Sequence, residues 1–255
     1  VRVNGQRVEK GTQVHPGDLV TVPRLVGVQP EPELALRVVY EAADLAVVEK
    51  PGGMPSHALD PREAGTAAAF VVARWPETRR VGNPLAPGLA HRLDTGTSGL
   101  LVVARSPACF ATLRSAFAQG RVDKQYLAIV AGTPPARVTL RRALAHDRRD
   151  RRRMAPAEPG TRSWPAETRI ETLAVVGTAA LVAVTIRTGV THQVRVHLAI
   201  LGHPVLGDAL YGGPPAGLAP GRHALHASAL TIAAPGRPLL SVRSPLPADL
   251  AALLS

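Results

Sequence analysis

Apolar residues along this chain fall in short runs bounded by glycine, proline and acidic turns, a rhythm that favours strands. Val38-Val39-Tyr40 and Leu45-Ala46-Val47-Val48 predict two strands around an acidic turn. Leu100-Leu101-Val102-Val103 predicts a short buried strand. Residues 124–131 predict a strand with Tyr126, Ala128 and Val130 on one face, because side chains alternate along a strand. Residues 181–186, 223–232 and 239–242 predict three more. Other segments follow helix rules. Thr66 is placed to cap a helix running to Trp75. Ser106 caps a second, with Pro107 at its first position and Gly120 beyond its end. Thr191 is placed to cap a third, closed by Gly202 and Pro204, with Val194, Leu198 and Leu201 on its buried face. Strands and helices do not alternate regularly, which argues against a doubly wound parallel sheet. The pattern predicts an α+β fold: a mixed, mainly antiparallel β-sheet flanked by helices.

Residues 1–24 read differently. Val1-Arg2-Val3 and Leu19-Val20-Thr21-Val22 are short alternating runs, separated by the turn signals Asn4-Gly5 and Pro16-Gly17-Asp18. The segment is too short to hold a core of its own. The polar, proline-bearing stretch Gln29-Pro30-Glu31-Pro32-Glu33 marks 25–34 as a linker, leaving 35–255 as the main domain. There is no repeat at a solenoid period. No apolar run reaches the length of a membrane span. Val1-Arg2-Val3-Asn4-Gly5 lacks the charged-then-apolar pattern of a signal peptide. Cys109 is the single cysteine, so no internal disulfide can form, and the expected compartment is the cytoplasm.

Charge changes the picture. The 255 residues carry a formal net charge of +11, nearly all of it on arginine, since lysine occurs only at Lys10, Lys50 and Lys124. Such an excess favours polyanionic partners, with nucleic acid first. Arginine suits phosphate because its planar fork donates two parallel hydrogen bonds. Aromatic residues make up only 3% of the chain, which argues against binding through many stacking platforms. An arginine-rich composition without a nucleic-acid partner is the plainer alternative.

The sharpest segment is His91-Arg92-Leu93-Asp94-Thr95-Gly96-Thr97-Ser98-Gly99-Leu100, a polar loop running into an apolar strand. It is not a phosphate-binding P-loop, which follows a strand, opens a helix and carries a lysine. Nor is it a hydrolase elbow, whose glycines flank the serine at a different spacing. On the residues alone, Asp94 and Thr97 either brace a tight turn or carry chemistry.

The run His-Arg-Leu-Asp-x-x-Thr-Ser-Gly-Leu resembles the catalytic motif of the RluA-type pseudouridine synthases. Asp44 to Gly53, with its Glu49-Lys50-Pro51-Gly52-Gly53 turn, resembles that family's opening strand. Lys124-Gln125-Tyr126-Leu127-Ala128-Ile129-Val130 resembles its tyrosine motif. Thr188-Gly189-Val190-Thr191-His192-Gln193-Val194-Arg195-Val196-His197-Leu198 and Gly202-His203-Pro204-Val205-Leu206-Gly207-Asp208 resemble its arginine motif, and Leu225-His226-Ala227 a late strand. The likeness covers about 35–250, while 1–24 resembles the second half of an S4-type RNA-binding module. Val190 departs from the pattern, where the family usually has arginine.

The resemblance implies the pseudouridine synthase fold with a central RNA-binding cleft, and isomerisation of uridine to pseudouridine. Breaking N1–C1′, turning the base and joining C5 to C1′ oxidises nothing and adds no group, so no cofactor is expected. A carboxylate is a suitable tool. It can attack C1′ or C6, or accept a proton. The implied catalytic residues are Asp94, Arg195 as its ion-pair partner, and Tyr126 against the target base. Arg92 is implied to fill the gap left by the extruded base, or else to contact phosphate. His91, Thr97, His192 and Gln193 are further RNA-contact candidates. So is the basic run 141–153 with Arg148, Arg149, Arg151, Arg152 and Arg153, whose plainer reading is a solvated mobile loop. The nine histidines form no zinc-like spacing, and no metal site is expected. The expected partner is RNA, with the S4-like segment favouring 23S ribosomal RNA over transfer RNA. A non-catalytic RNA-binding protein and a basic ribosome-associated scaffold are the competing readings.

Overall fold

The computed structural model describes residues 1–9, 11–22, 27–233, 236 and 238–255. In chain order the elements are β1 (Arg2–Val3), β2 (Gln6–Arg7), β3 (Val20–Thr21), β4 (Arg37–Glu41), β5 (Leu45–Lys50), α1 (Ala67–Arg74), β6 (Gly82–Asn83), β7 (Ala86–Pro87), β8 (Ser98–Ala104), α2 (Pro107–Ala118) and β9 (Val122–Ala131). There follow β10 (Arg137–Arg141), β11 (Leu144–His146), β12 (Met154–Pro156), β13 (Glu167–Val176), β14 (Ala179–Ile186), α3 (Gln193–Ile200), β15 (Leu225–Ile232), β16 (Leu240–Arg243) and α4 (Ala248–Ala251). Nine strands form the main sheet in the order β10-β13-β14-β9-β15-β8-β5-β4, with β16 added beside β15. Every pairing in it is antiparallel except that of β8 with β15. This is the mixed, mainly antiparallel α+β architecture expected from the pattern.

The helices explain why some strands read as unbroken apolar runs. Ala46, Val48, Leu101 and Val103 face α1, whereas Leu45, Val47, Leu100, Val102 and Ala104 face α2. A strand covered on both faces has no reason to alternate with polar residues. Both caps foreseen there form, as the Thr66 and Ser106 hydroxyls accept from Ala69 N and Cys109 N, both at 3.1 Å. A third core joins β9, β13 and β14 to α3, with Val194 and Leu198 buried as expected.

Four local expectations change. Thr191 is not the cap of α3. That place belongs to His192, in the left-handed region at φ 55°, and its side chain makes no cap bond. The run 141–153 is not one solvated loop, because β10 claims its start and the β11–β12 hairpin encloses the rest. Ten-residue β13 lies where no strand was expected; at 171–176 its side chains are mostly exposed, so the apolar alternation is weak. Residues 27–34 are docked rather than a free linker. Val28 is buried against α1, and Glu31 accepts from the Gly65 amide. The expected boundary at 24/25 lies outside the described residues. β1, β2 and β3 form a small sheet of their own.

Gly99 shows how tightly the centre closes. It sits at φ +115° where β8 begins pairing with β15, and a Cβ there would lie 2.3 Å from the Ala227 carbonyl oxygen. That close approach brings the loop ahead of β8 against 221–226.

Candidate active site

The loop between β7 and β8 carries Asp94 to the floor of a cleft of about 1090 Å³. Its backbone is held from below. The Lys50 ammonium, fully buried, donates to the carbonyl oxygens of Pro51, Met54 and Thr95 at 2.8, 2.7 and 3.2 Å. The buried Arg222 guanidinium donates to Gly96 O at 2.7 Å and to the Ser98 hydroxyl at 2.9 Å, and is anchored by Asp249. Ser56 bonds both the amide and the carbonyl of Leu93. A loop whose carbonyls are held by two buried cations, a buried hydroxyl and its own backbone has little freedom to move its carboxylate.

Asp94 meets Arg195 from α3, Nη1 donating to Oδ2 at 3.0 Å. The same guanidinium is gripped more firmly by Asp208, Nε and Nη2 donating to its two oxygens at 2.6 and 2.7 Å. Arg195 and Asp208 are buried, with side-chain exposures of 8% and 1%, whereas Asp94 keeps 26%. Burial alone would lower the guanidinium pKa, but the bonds to Asp208 and the charge of Asp94 outweigh it and raise it. Burial would likewise raise the Asp208 pKa, yet Arg195 holds it below the usual value. The outcome is one exposed carboxylate beside a cation that another carboxylate already fixes.

Tyr211 packs beneath this cation, its ring centroid 5.1 Å from the Arg195 Cζ. Its hydroxyl accepts from Met154 N at 2.9 Å and lies 2.8 Å from His192 Nδ1. With its oxygen already accepting, the phenol proton is best placed to go to Nδ1, leaving the His192 Nε2–H directed toward Asp94 Oδ1, 3.9 Å away. Tyr126 on β9 is buried, and burial followed by the Asp94 charge raises its pKa, so it is a neutral phenol.

The remaining sequence candidates separate into two groups. Arg92 is exposed at the rim, bonded to the Thr191 hydroxyl at 3.1 Å. Arg148, Arg149, Arg151 and Arg152 are exposed on the loop joining β11 to β12. Of these, Arg148 pairs with Glu158 and Arg152 with Asp150. Arg153 is half-buried over the Tyr211 ring. Thr97 and Gln193, expected to contact RNA, are turned inward instead. Thr97 is buried and bonds His223 Nε2 at 2.8 Å. Gln193 accepts from Thr188 and Val190 and donates to Glu167 O and Thr168, which uses its amide fully. His91 uses Nε2 to accept from Val102 N and lays its ring against Phe117, so its role is also largely internal. Val190, lacking the arginine expected there, packs with Leu144, Met154 and Tyr211. Asp208, Tyr211, Lys50 and Arg222 were not singled out from the sequence. Asp208 does close the second half of the arginine motif, and the scarcity of lysine was the available signal for Lys50.

The buried imidazoles make a testable statement. Burial pushes His91 down to about 3 and His223 to about 4, and lowers His192, His197 and His226 as well. Their folded pKa values lie below the ordinary 6.5, so below that pH the unfolded chain binds more protons than the folded one. Their contribution is complete above about pH 6.5 and is lost as the pH falls toward the folded values. Tm is expected to drop steadily between pH 6.5 and 4, for a combined loss on the order of several kcal/mol. A flat Tm over that interval would contradict neutral buried imidazoles.

No helix among the described residues is long and apolar enough to cross a membrane. Residues 44–200 match the family model described as RNA pseudouridylate synthase. An uncharacterised RNA pseudouridine synthase of Bacillus subtilis is 33% identical over 259 residues, covering all of this chain and 84% of the relative. One from Chloroflexus aurantiacus is 39% identical over 207 residues, 80% of this chain and 64% of the relative. Ribosomal large subunit pseudouridine synthase D of Nitrosomonas europaea is 34% identical over 229 residues, 87% of this chain and 65% of the relative. The chain thus spans slightly less than two thirds of the length of the last two. Among solved structures, human RNA pseudouridylate synthase domain containing 1 superposes with a TM-score of 0.70 at 30% identity, covering 88% of this chain and 89% of that one.

Proposed function

Because this chain belongs to the RNA pseudouridylate synthase family, we propose that it isomerises uridine to pseudouridine in structured RNA, with Asp94 as the catalytic nucleophile. The observation that carries this reading is the partly exposed Asp94 carboxylate, 3.0 Å from a buried arginine in a cleft large enough for an extruded nucleotide. In the reaction the N1–C1′ bond breaks, the base turns, C5 bonds to C1′, a proton leaves C5 and one is taken up at N1. Arg195, fixed by Asp208, holds the carboxylate that acts at the sugar in place through its bond to Oδ2. Tyr126, a neutral phenol, lies where its ring can pack on the base and its hydroxyl relay a proton. Arg92 at the rim suits either the vacated stack or a phosphate.

We assign 23S ribosomal RNA as the target and the cytoplasm as the place of action, on the name of the Nitrosomonas relative and the S4-like pattern of residues 1–24. The test is tritium release from transcripts containing uridine labelled at C5. Release from 23S RNA is expected. Release from transfer RNA alone would redirect the target but keep the chemistry, and release from neither would end the proposal.

Binding is expected to weaken steeply with salt, because phosphate contacts release counterions. Replacing the four exposed arginines Arg148, Arg149, Arg151 and Arg152 with glutamine should flatten the plot of log Kd against log salt by up to about four counterions, or somewhat less where Glu158 and Asp150 already neutralise. An unchanged slope would place the RNA on another face.

A further inference from the structure

The chain uses arginine for almost every positive charge, so its lysines stand out. Two of the three lie among the described residues, and both are buried. An ammonium has three N–H donors and no acceptor. Lys50 satisfies all three on carbonyl oxygens. Lys124 does not. Its Nζ donates to one protein acceptor, Thr188 O at 2.7 Å, and rests 5.8 Å from the centroid of the Phe117 ring. Among the described residues no carboxylate pairs with it, although it is only 6% exposed and lines the cleft. A buried cation with two unmet donors is costly unless something else meets them.

Position says what that something is. Lys124 stands two residues before Tyr126 on β9, so both side chains leave the same face of the strand, roughly 7 Å apart at the backbone. That spacing is about the width of a pyrimidine with its exocyclic oxygens. A phosphate is bulky and strongly hydrated and stays at the rim, where the exposed arginines are. A flat base drawn out of its stack reaches the floor.

We infer that Lys124 is a catalytic residue for the target base: its ammonium donates a hydrogen bond to a uracil carbonyl oxygen and stabilises the charge the base gains when N1–C1′ breaks. The inference rests on the isomerase reading above. In that step the bonding pair departs with the uracil, whose negative charge is shared between N1 and the two carbonyl oxygens. A cation held in a poorly solvated site stabilises such charge more than water does, with no reorganisation at the moment of bond breaking. Around Lys124 stand His91, held neutral by burial, the neutral Tyr126, and Arg187, which is occupied by Asp123. None of them competes for its free donors.

The experiment uses the full chain and a short transcript carrying the mapped target uridine, with enzyme in excess. Lys124→Met keeps the aliphatic stem and removes the charge. Its single-turnover rate is expected to fall by about 100-fold with little change in Kd. An unchanged rate, or a loss confined to Kd, overturns the assignment, the second outcome placing Lys124 on a phosphate. The companion measurement needs only the wild-type protein and so survives a variant that fails to fold. Transcripts with 2-thiouridine or 4-thiouridine at the target replace one oxygen at a time by a poorer acceptor. One of them should slow the wild type markedly, and in a folded Lys124→Met protein that penalty should vanish. Equal wild-type rates on both thio transcripts and on uridine overturn the inference. Wild-type inactivity on plain uridine is a separate result and counts against the isomerase reading itself.

Discussion

Asp94→Asn is expected to abolish pseudouridine formation while the protein still folds and still binds RNA. Asparagine keeps the size of the side chain and its capacity to brace the turn, so a purely structural Asp94 predicts near-normal turnover. Loss of a reacting group instead predicts a fall of roughly four orders of magnitude or more in the single-turnover rate. The stability change is expected to be small, about 1–2 kcal/mol, because Arg195 is not left alone. Its two bonds to Asp208, at 2.6 and 2.7 Å, remain. RNA affinity should hold or improve slightly, since one negative charge leaves a surface that attracts phosphate. Single-turnover kinetics beside a binding isotherm decide the matter, and a variant retaining most of its rate would remove Asp94 from the chemistry.

The opposite balance is expected at Asp208. Asp208→Asn removes the charge from the fully buried half of the network and turns one of its two acceptors into a donor facing the guanidinium. Breaking a buried pair from one side costs about 3–5 kcal/mol, which for a chain of this size lowers Tm by roughly 10 °C. The rate should also fall, because the guanidinium that positions Asp94 is no longer fixed from its other side. The two variants therefore differ in balance: one loses turnover with a small drop in melting point, the other loses much of both. A melting point for Asp208→Asn close to wild type would mean that Arg195 finds solvent or another acceptor, contrary to its burial.

What the sequence disclosed follows physical lines. Strands buried on both faces, such as β5 and β8, announce themselves as uninterrupted apolar runs, and the caps at Thr66 and Ser106 are local chemistry. β10 and β13 were hidden because charged residues dilute the alternation: Arg137 pairs with Glu171 and Arg141 with Glu167 across the strands, and Arg169 with Glu167 along β13. Thr191 looks like a cap, but the place belongs to His192, left-handed and tied by its ring to the Tyr211 hydroxyl, a contact no local rule encodes. Asp94, Arg195 and Tyr126 came from motif resemblance. What resemblance could not provide was the sharing of one guanidinium between carboxylates on either side of α3, the first of them 101 positions away. Thr97 and Gln193 carry polar groups inside a motif, and a motif alone does not tell whether such groups face solvent or neighbouring backbone.

The anchoring of the Asp94 loop also sets an order of events during synthesis. Gly96 O is held by Arg222, which lies 126 residues further along, and Arg222 in turn leans on Asp249. A ribosome adding about 5–20 residues per second needs roughly 6 to 25 seconds to cover that stretch. Through that interval α1 and α2 can already pack on β5 and β8, while the carboxylate lacks its buttress and, for most of it, its arginine as well. A nascent chain would therefore acquire a folded half long before it acquires a reactive one. Translation stalled ahead of residue 222 should yield a structured, inert product.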